Sequence, residues 1–342
     1  MKIQQAIAKV LDRQDLLPKE MQSVMTQLMT GEATPAQIGG FLIGLRMKGE
    51  TVEEITTAAE VMSSLASHVE LDVPNLIDIV GTGGDGARTF NISTASTFVA
   101  GAAGAYVAKH GNRSVSSSSG SADLLEAAGA NLNLTPGQVA EAVKNTQVGF
   151  MFAPNHHGAM KYAIGPRKEM AVRTIFNVLG PLTNPASVKR HVVGVFSLEL
   201  VLPIAQVLAK LGSEHAFVVC SEDGIDEISI AAPTKVAEWS GGVLIEKIIS
   251  PSDFGLQGGS IDEIKVDDAQ QSLEMINRVL GNQAGPARDA VVMNAGAGIY
   301  VSGLVESLAD GVVRAEQVIA DGSALKVRDH FVAFTNQFQA TS

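Results

Sequence analysis

Cysteine is nearly missing from this 342-residue chain: Cys220 stands alone, so no internal disulfide can form, and a reducing compartment is its natural home. Positive charge is also short. Twenty-five Lys and Arg face 36 Asp and Glu, a net charge of −11, which argues against nucleic acid as the main partner. No long apolar run exists. Phe98 to Ala108 is the longest small-apolar stretch, too short and too rich in glycine to span a bilayer. Met1-Lys2 leads into an amphipathic stretch interrupted by Asp12 and Arg13, not into the apolar segment of a secretory signal. The expectation is a soluble cytoplasmic protein with no membrane partner.

Aromatics are scarce at 5%, whereas glycine is abundant at 34 residues, a balance that suits close helix–sheet packing and loops whose backbone approaches a ligand. The chain is 46% apolar and 18% charged, ample for a core and unlike a disordered chain. Its length fits two domains or one large one.

The first seventy or so residues read as helices only. Ile3, Ile7, Val10 and Leu11 follow helical spacing, and Met21, Val24, Met25, Leu28 and Met29 do so more cleanly, as the core face of a helix. Thr34-Pro35 is an N-cap with Pro at the first helical position, and Thr51 with Glu54 forms a capping box. Ile55, Ala59, Met62 and Leu65 then line one face. From Pro74 the pattern changes. Strands are expected over 75–80, 105–108, 191–196 and 216–220, with further ones over 242–249 and 289–294. Helices are expected over 122–128 and 200–211. Such alternation implies a largely parallel sheet covered by helices.

Two loops carry chemistry. Gly81-Thr82-Gly83-Gly84-Asp85-Gly86 follows the first strand and leads through Thr89, Asn91, Ser93 and Thr94 into a helix. Its glycines permit tight turns with N–H groups turned toward an anion, and the helix N-terminus favours negative charge. The segment matches G-x-G-x-x-G, but a dinucleotide site also needs an acidic residue ending the second strand. Lys109-His110 stands there instead. The second loop, Lys109 to Ser121, adds two cations and a dense set of hydroxyls on the same edge of the sheet. Two anion-binding loops on one edge suit a substrate with two phosphate-bearing ends.

These segments, together with Gly120-Ser121-Ala122-Asp123, Pro154-Asn155-His156-His157, Gly165-Pro166-Arg167, Phe176 to Pro185 and Asp226-Glu227, resemble the motifs of anthranilate phosphoribosyltransferases, in the family's order and along the whole chain. The resemblance implies transfer of the 5-phosphoribosyl group from phosphoribosyl pyrophosphate to the amine of anthranilate, the second step from chorismate to tryptophan. It implies a small all-helical domain (1–72, to which a helix around Arg167 to Gly180 returns, a discontinuous contribution over about 167–189) and a larger α/β domain (73–342) of the nucleoside phosphorylase/phosphoribosyltransferase type. For phosphoribosyl pyrophosphate it implies contacts from Gly81, Gly84, Asp85, Thr89, Asn91, Ile92, Ser93 and Thr94. Lys109, His110, Gly111, Asn112, Arg113, Ser114, Val115, Ser116, Ser117 and Ser121 complete that set. For anthranilate it implies Gly81, Asn112 and Arg167, with His110 and His156 or His157 nearby, and for two Mg²⁺ ions per monomer Ser93, Asp226 and Glu227. A homodimer and association with anthranilate synthase components are implied as well.

The residue chemistry is compatible. Adjacent carboxylates brought to a site want a hard cation, and a planar guanidinium grips a carboxylate bidentately. No Ser–His–Asp arrangement or catalytic cysteine is evident, and none is required. The anomeric carbon gains oxocarbenium character as pyrophosphate leaves, and a neutral arylamine attacks. Alignment and charge stabilisation then suffice. A nucleoside phosphorylase of similar fold remains a rival, one that would not need the Asp226-Glu227 pair.

Overall fold

The structure, a computed structural model, describes residues 1–114 and 119–338. Val115, Ser116 and Ser117 lie outside the described residues. Four helices open the chain: α1 (Ile3–Leu11), α2 (Pro18–Thr30), α3 (Pro35–Lys48) and α4 (Val52–Ser64). The cap chemistry read from the sequence is in place. The Thr51 hydroxyl accepts from Glu54 N at 3.2 Å, and Glu54 accepts from Thr51 N at 2.8 Å. The Met21, Val24, Met25, Leu28 and Met29 face of α2 is buried.

Among the described residues seven strands follow: β1 (Leu76–Gly81), β2 (Tyr106–Gly111), β3 (Val148–Phe152), β4 (Arg190–Gly194), β5 (His215–Ser221), β6 (Thr234–Ser240) and β7 (Val243–Ile249). They form one sheet in the order β3-β2-β1-β4-β5-β6-β7. The first five neighbours pair in parallel, and β6 and β7 add an antiparallel rim. Two of these, β3 and β6, have no counterpart in the sequence reading. The helices between and after the strands are α5 (Ile92–Ala103), α6 (Ser121–Ala127), α7 (Pro136–Thr146), the single turn α8 (Ala153–His156), α9 (Lys161–Met170), α10 (Phe176–Leu182) and α11 (Val201–Lys210). The C-terminal part adds α12 (Ala269–Leu280), α13 (Pro286–Ser302), α14 (Leu308–Ala320) and α15 (Ser323–Asn336).

Strand alternation sorts the apolar side chains into layers. Ile77, Ile79, Val192, Phe217 and Val219 face a core shared with α5, α12, α13, α14 and α15. Val80, Val193, Ala216, Val218 and Cys220 face the other side, where the core runs on into α1 to α4 and α11. On the rim, the indole N–H of half-buried Trp239 donates to the Ser213 carbonyl at 2.9 Å.

Two expectations are corrected. Residues 289–294 are not a strand but part of α13. This helix is buried almost all round, so its helical period is invisible in hydropathy. Its ends are marked by Pro286 and by Gly303 at φ 84. The helix expected around Arg167 to Gly180 is two helices, since α9 ends at Met170, Ala171 takes φ 50, and α10 begins at Phe176.

Candidate functional site

The strand order reverses between β1 and β4, and in such sheets the crevice beyond the strands' carboxyl ends is where ligands bind. A cleft of about 580 Å³ opens there. Every described residue expected in the site lines it: the Gly81–Asp85 turn, Thr89, the start of α5 from Asn91 to Thr94, Lys109 to Ser114, Ser121, Arg167, Asp226 and Glu227. Of the two neighbouring histidines, His157 lines the cleft, while the His156 ring turns away to bond the Ser67 carbonyl at 2.8 Å.

Gly81 and Gly194 are register partners at the ends of β1 and β4. A Cβ on Gly81 would collide with the Asp226 carboxylate, and one on Gly194 with the Asp226 backbone. The paired glycines are therefore a seat for Asp226. Gly83 N–H donates to Asp226 Oδ2 at 2.6 Å, and Ser93 N–H donates to Glu227 Oε1 at 3.1 Å. Burial, reinforced by the charge of Asp85, pushes the Asp226 carboxyl up to about 7. Burial and Asp226 push Glu227 up to about 8. Lys109 is the compensating cation. Its ammonium donates to the Ile79 carbonyl at 2.5 Å and to Ser93 Oγ at 3.2 Å. Burial lowers its pKa against the opposing pull of Asp78, Glu227 and Asp226.

Asp78, absent from the sequence reading, is a fully buried carboxylate on β1 that accepts from Asn184 Nδ2 at 2.7 Å and from His110 N–H at 3.3 Å. Its only sequence signal was an Asp inside the apolar run Leu76-Ile77-Asp78-Ile79-Val80. Among the described residues, no three His, Cys, Asp or Glu side chains group into a ready-made metal cage. A buried, proton-hungry acid pair nonetheless suits a hard divalent cation whose shell is completed by water and ligand oxygens.

At the other end of the cleft, polar groups lack partners. Arg167 lies in the last turn of α9, not at a helix start, and its guanidinium sits 5.2 Å from the Phe176 ring centre. No described residue pairs with that guanidinium, and burial lowers its pKa. The His110 and His157 rings lie 5.0 Å apart. His110 Nδ1 contacts the Gly180 carbonyl at 3.0 Å; among the described residues, His110 Nε2 is buried without a hydrogen bond, and the His157 ring meets only the Thr183 backbone, outside hydrogen-bond geometry. Burial depresses them to about 3 and about 4, so both rings are neutral. Back at the sheet end, Thr94 Oγ1 in the first turn of α5 is likewise buried with no hydrogen bond among the described residues.

Arg113 is different. It forms a bidentate pair with Glu126 at 2.5 and 2.6 Å and touches Asp123 at 3.2 Å. Arg173, also missed, stacks 4.4 Å from the Phe196 ring centre and donates to the Gly84 carbonyl.

Residues 73–325 match the model of the glycosyl transferase family, a/b domain, and residues 4–66 that of its helical bundle domain. The chain is 60% identical over 342 residues to the anthranilate phosphoribosyltransferase of Marinomonas sp. (strain MWYL1), covering 99% of each chain. Among solved structures, it resembles the anthranilate phosphoribosyltransferase of Thermus thermophilus with a TM-score of 0.91 at 40% identity, covering 97% of this chain and 99% of that one. The enzyme of Saccharomyces cerevisiae in complex with PRPP and Mg matches with a TM-score of 0.89 at 27% identity, over 98% of both.

Proposed function

The chain belongs to the glycosyl transferase family of those models and, within it, to the anthranilate phosphoribosyltransferases, and from that premise we propose how its own residues carry the transfer. It moves the 5-phosphoribosyl group of phosphoribosyl pyrophosphate to the amine of anthranilate, releasing pyrophosphate, in the tryptophan pathway.

The sugar phosphate and pyrophosphate occupy the sheet end. Gly81, Gly84 and the α5 N-terminus offer N–H groups, Thr89, Asn91, Ser93, Thr94 and Ser121 offer polar side chains, and Lys109 offers a buried positive charge. Mg²⁺, when bound, neutralises charge on the departing pyrophosphate. Asp226 and Glu227, with Ser93 Oγ, hold it, and two ions per monomer is the stoichiometry proposed. Holding the cation would require both carboxylates to be ionised, a state that their burial resists.

Anthranilate occupies the helical end. Arg167 grips its carboxylate and Asn112 helps place it, with Gly81 beneath. The neutral imidazoles of His110 and His157 can accept a hydrogen bond from the amine without adding charge. The observation that carries this assignment is Arg167: a half-buried guanidinium with no hydrogen-bond or ion-pair partner among the described residues, resting on the Phe176 ring and facing the same cleft as the acid pair.

A helical domain of 1–72 with 167–189 is supported by α9 packing on α2 and α3, and α10 on α4. The remainder, 73–342, forms the α/β domain. A homodimer through the N-terminal helices is supported by Leu11 at 65% and Met47 at 73% exposure. Association with anthranilate synthase components is a further proposal, tested by co-elution. No described helix is long and apolar enough to cross a membrane, and the proposed location is the cytoplasm.

The deciding assay incubates the protein with phosphoribosyl pyrophosphate, Mg²⁺ and anthranilate and follows anthranilate fluorescence. Mg²⁺-dependent loss is expected. Phosphorolysis of a nucleoside in place of that loss would overturn the assignment.

A further inference from the structure

We infer that Asn294 is a positioning residue for the acidic pair: its carboxamide clamps the backbone of Ile228 and so fixes where Asp226 and Glu227 point. The inference rests on the reading of those two residues as metal ligands.

Asn294 lies on α13, is fully buried, and does not line the cleft. Its Oδ1 accepts from Ile228 N–H at 2.9 Å, and its Nδ2 donates to the Ile228 carbonyl at 2.9 Å and to the Ala290 carbonyl at 2.9 Å. One side chain thus pairs both main-chain groups of a single residue, as a neighbouring strand would. Ile228 needs this because it sits in the connection between β5 and β6, outside the sheet. A buried peptide left without partners is costly, because its N–H and C=O have given up water without replacing it.

The geometry makes the clamp more than a core contact. The acidic segment is pinned from three directions. The Asp226 backbone rests against Gly194 on β4, where a Cβ would collide with it. The carboxylates are met by Gly83 N–H and Ser93 N–H from the first loop and α5. Asn294 holds the far side, one residue beyond Glu227, from a long helix packed on β1, β4 and β5. Without it, the peptide after Glu227 loses its only side-chain tether among the described residues, and the carboxylates lose a fixed separation. A ligand-orienting partner of this kind typically changes metal affinity 10–100-fold.

The test compares wild type, Asn294→Ala, Glu227→Gln and the control Ser302→Ala, a buried serine on the same helix that bonds only within it. Bound Mn²⁺ is read from loss of the free-ion electron paramagnetic resonance signal with pyrophosphate present, beside steady-state kinetics in Mg²⁺. Expected for Asn294→Ala is about tenfold weaker Mn²⁺ binding and a matching rise in the apparent Mg²⁺ constant. The Michaelis constant of anthranilate stays within about twofold, and Ser302→Ala behaves as wild type. Wild-type Mn²⁺ binding in folded Asn294→Ala, beside loss in Glu227→Gln, overturns the clamp. Undiminished binding in Glu227→Gln overturns the metal reading itself. If the alanine variant does not fold, Asn294→Leu keeps the volume while losing both hydrogen bonds to Ile228. Wild-type Mn²⁺ binding there overturns the clamp equally.

Discussion

The two ends of the cleft are built on opposite plans. At the sheet end every charge already has a protein partner: Asp226 with Gly83, Glu227 with Ser93, Lys109 with Ile79 and Ser93. At the helical end, among the described residues, the half-buried Arg167 guanidinium has no hydrogen-bond partner, and His110 and His157 keep buried ring nitrogens without one. The first end is charge organised in advance, the arrangement that stabilises a transition state without reorganisation. The second is incomplete until a carboxylate and an amine arrive. The difference also shows in pH: burial raises the acids and lowers the histidines, so the ends resist ionisation in opposite directions.

The comparison breaks most visibly at the acid pair. Asp226→Asn combined with Glu227→Gln should cut turnover by ~10²-fold or more, since a metal contributes several kcal/mol of charge stabilisation. The fold should persist by circular dichroism, because both amides still accept the Gly83 and Ser93 N–H groups. Near-normal turnover at saturating Mg²⁺ would show that the sheet end is not a metal site.

Next in size, Arg167→Ala removes a charge-assisted grip worth ~1.5–3 kcal/mol, so the Michaelis constant of anthranilate should rise about tenfold or more. Lysine should rescue it only in part. Kinetics with each substrate varied in turn decide the matter. A rise confined to phosphoribosyl pyrophosphate would exchange the roles of the two ends.

His157 sharpens the pH contrast. Its folded pKa, about 4, lies below its unfolded value near 6.5, so the unfolded chain binds the extra proton between those limits. Stability is therefore lost as pH falls from 6.5 toward 4. His157→Asn should flatten that loss by on the order of 1–2 kcal/mol. Urea unfolding at pH 4.5 and 6.5 measures it, and an unchanged slope would mean the ring is not held neutral.

The smallest effect is expected at Arg113. Since Glu126 and Asp123 already hold its guanidinium, Arg113→Ala should change the Michaelis constant of phosphoribosyl pyrophosphate less than about threefold, the scale of an exposed ion pair. A larger rise would show that this arginine leaves the acids for the substrate.

The loops that line the cleft were legible in the sequence because their signals are local: glycines at a strand end, hydroxyls at a helix start, a cation after a strand. What supports them was not. Asp78, Asn184 and Asn294 act across the fold on residues far away in the chain, and no spacing rule reaches that far. Arg113 and Arg167 were both expected to hold substrate, and only their neighbours in space show that one guanidinium is already taken by Glu126 and Asp123 while the other rests on a ring. The helix α13 was misread over 289–294 for a related reason: full burial erases the polar face by which a helix is recognised.

Trp239 turns the antiparallel rim into an optical label. It is the sole tryptophan, seated on β6 through its bond to Ser213 and outside the cleft lining. Its emission therefore reports the outer hairpin and stays dark to substrate arrival. Followed beside the far-ultraviolet signal of the helices during denaturation, it would reveal whether the rim peels off before the body of the molecule melts.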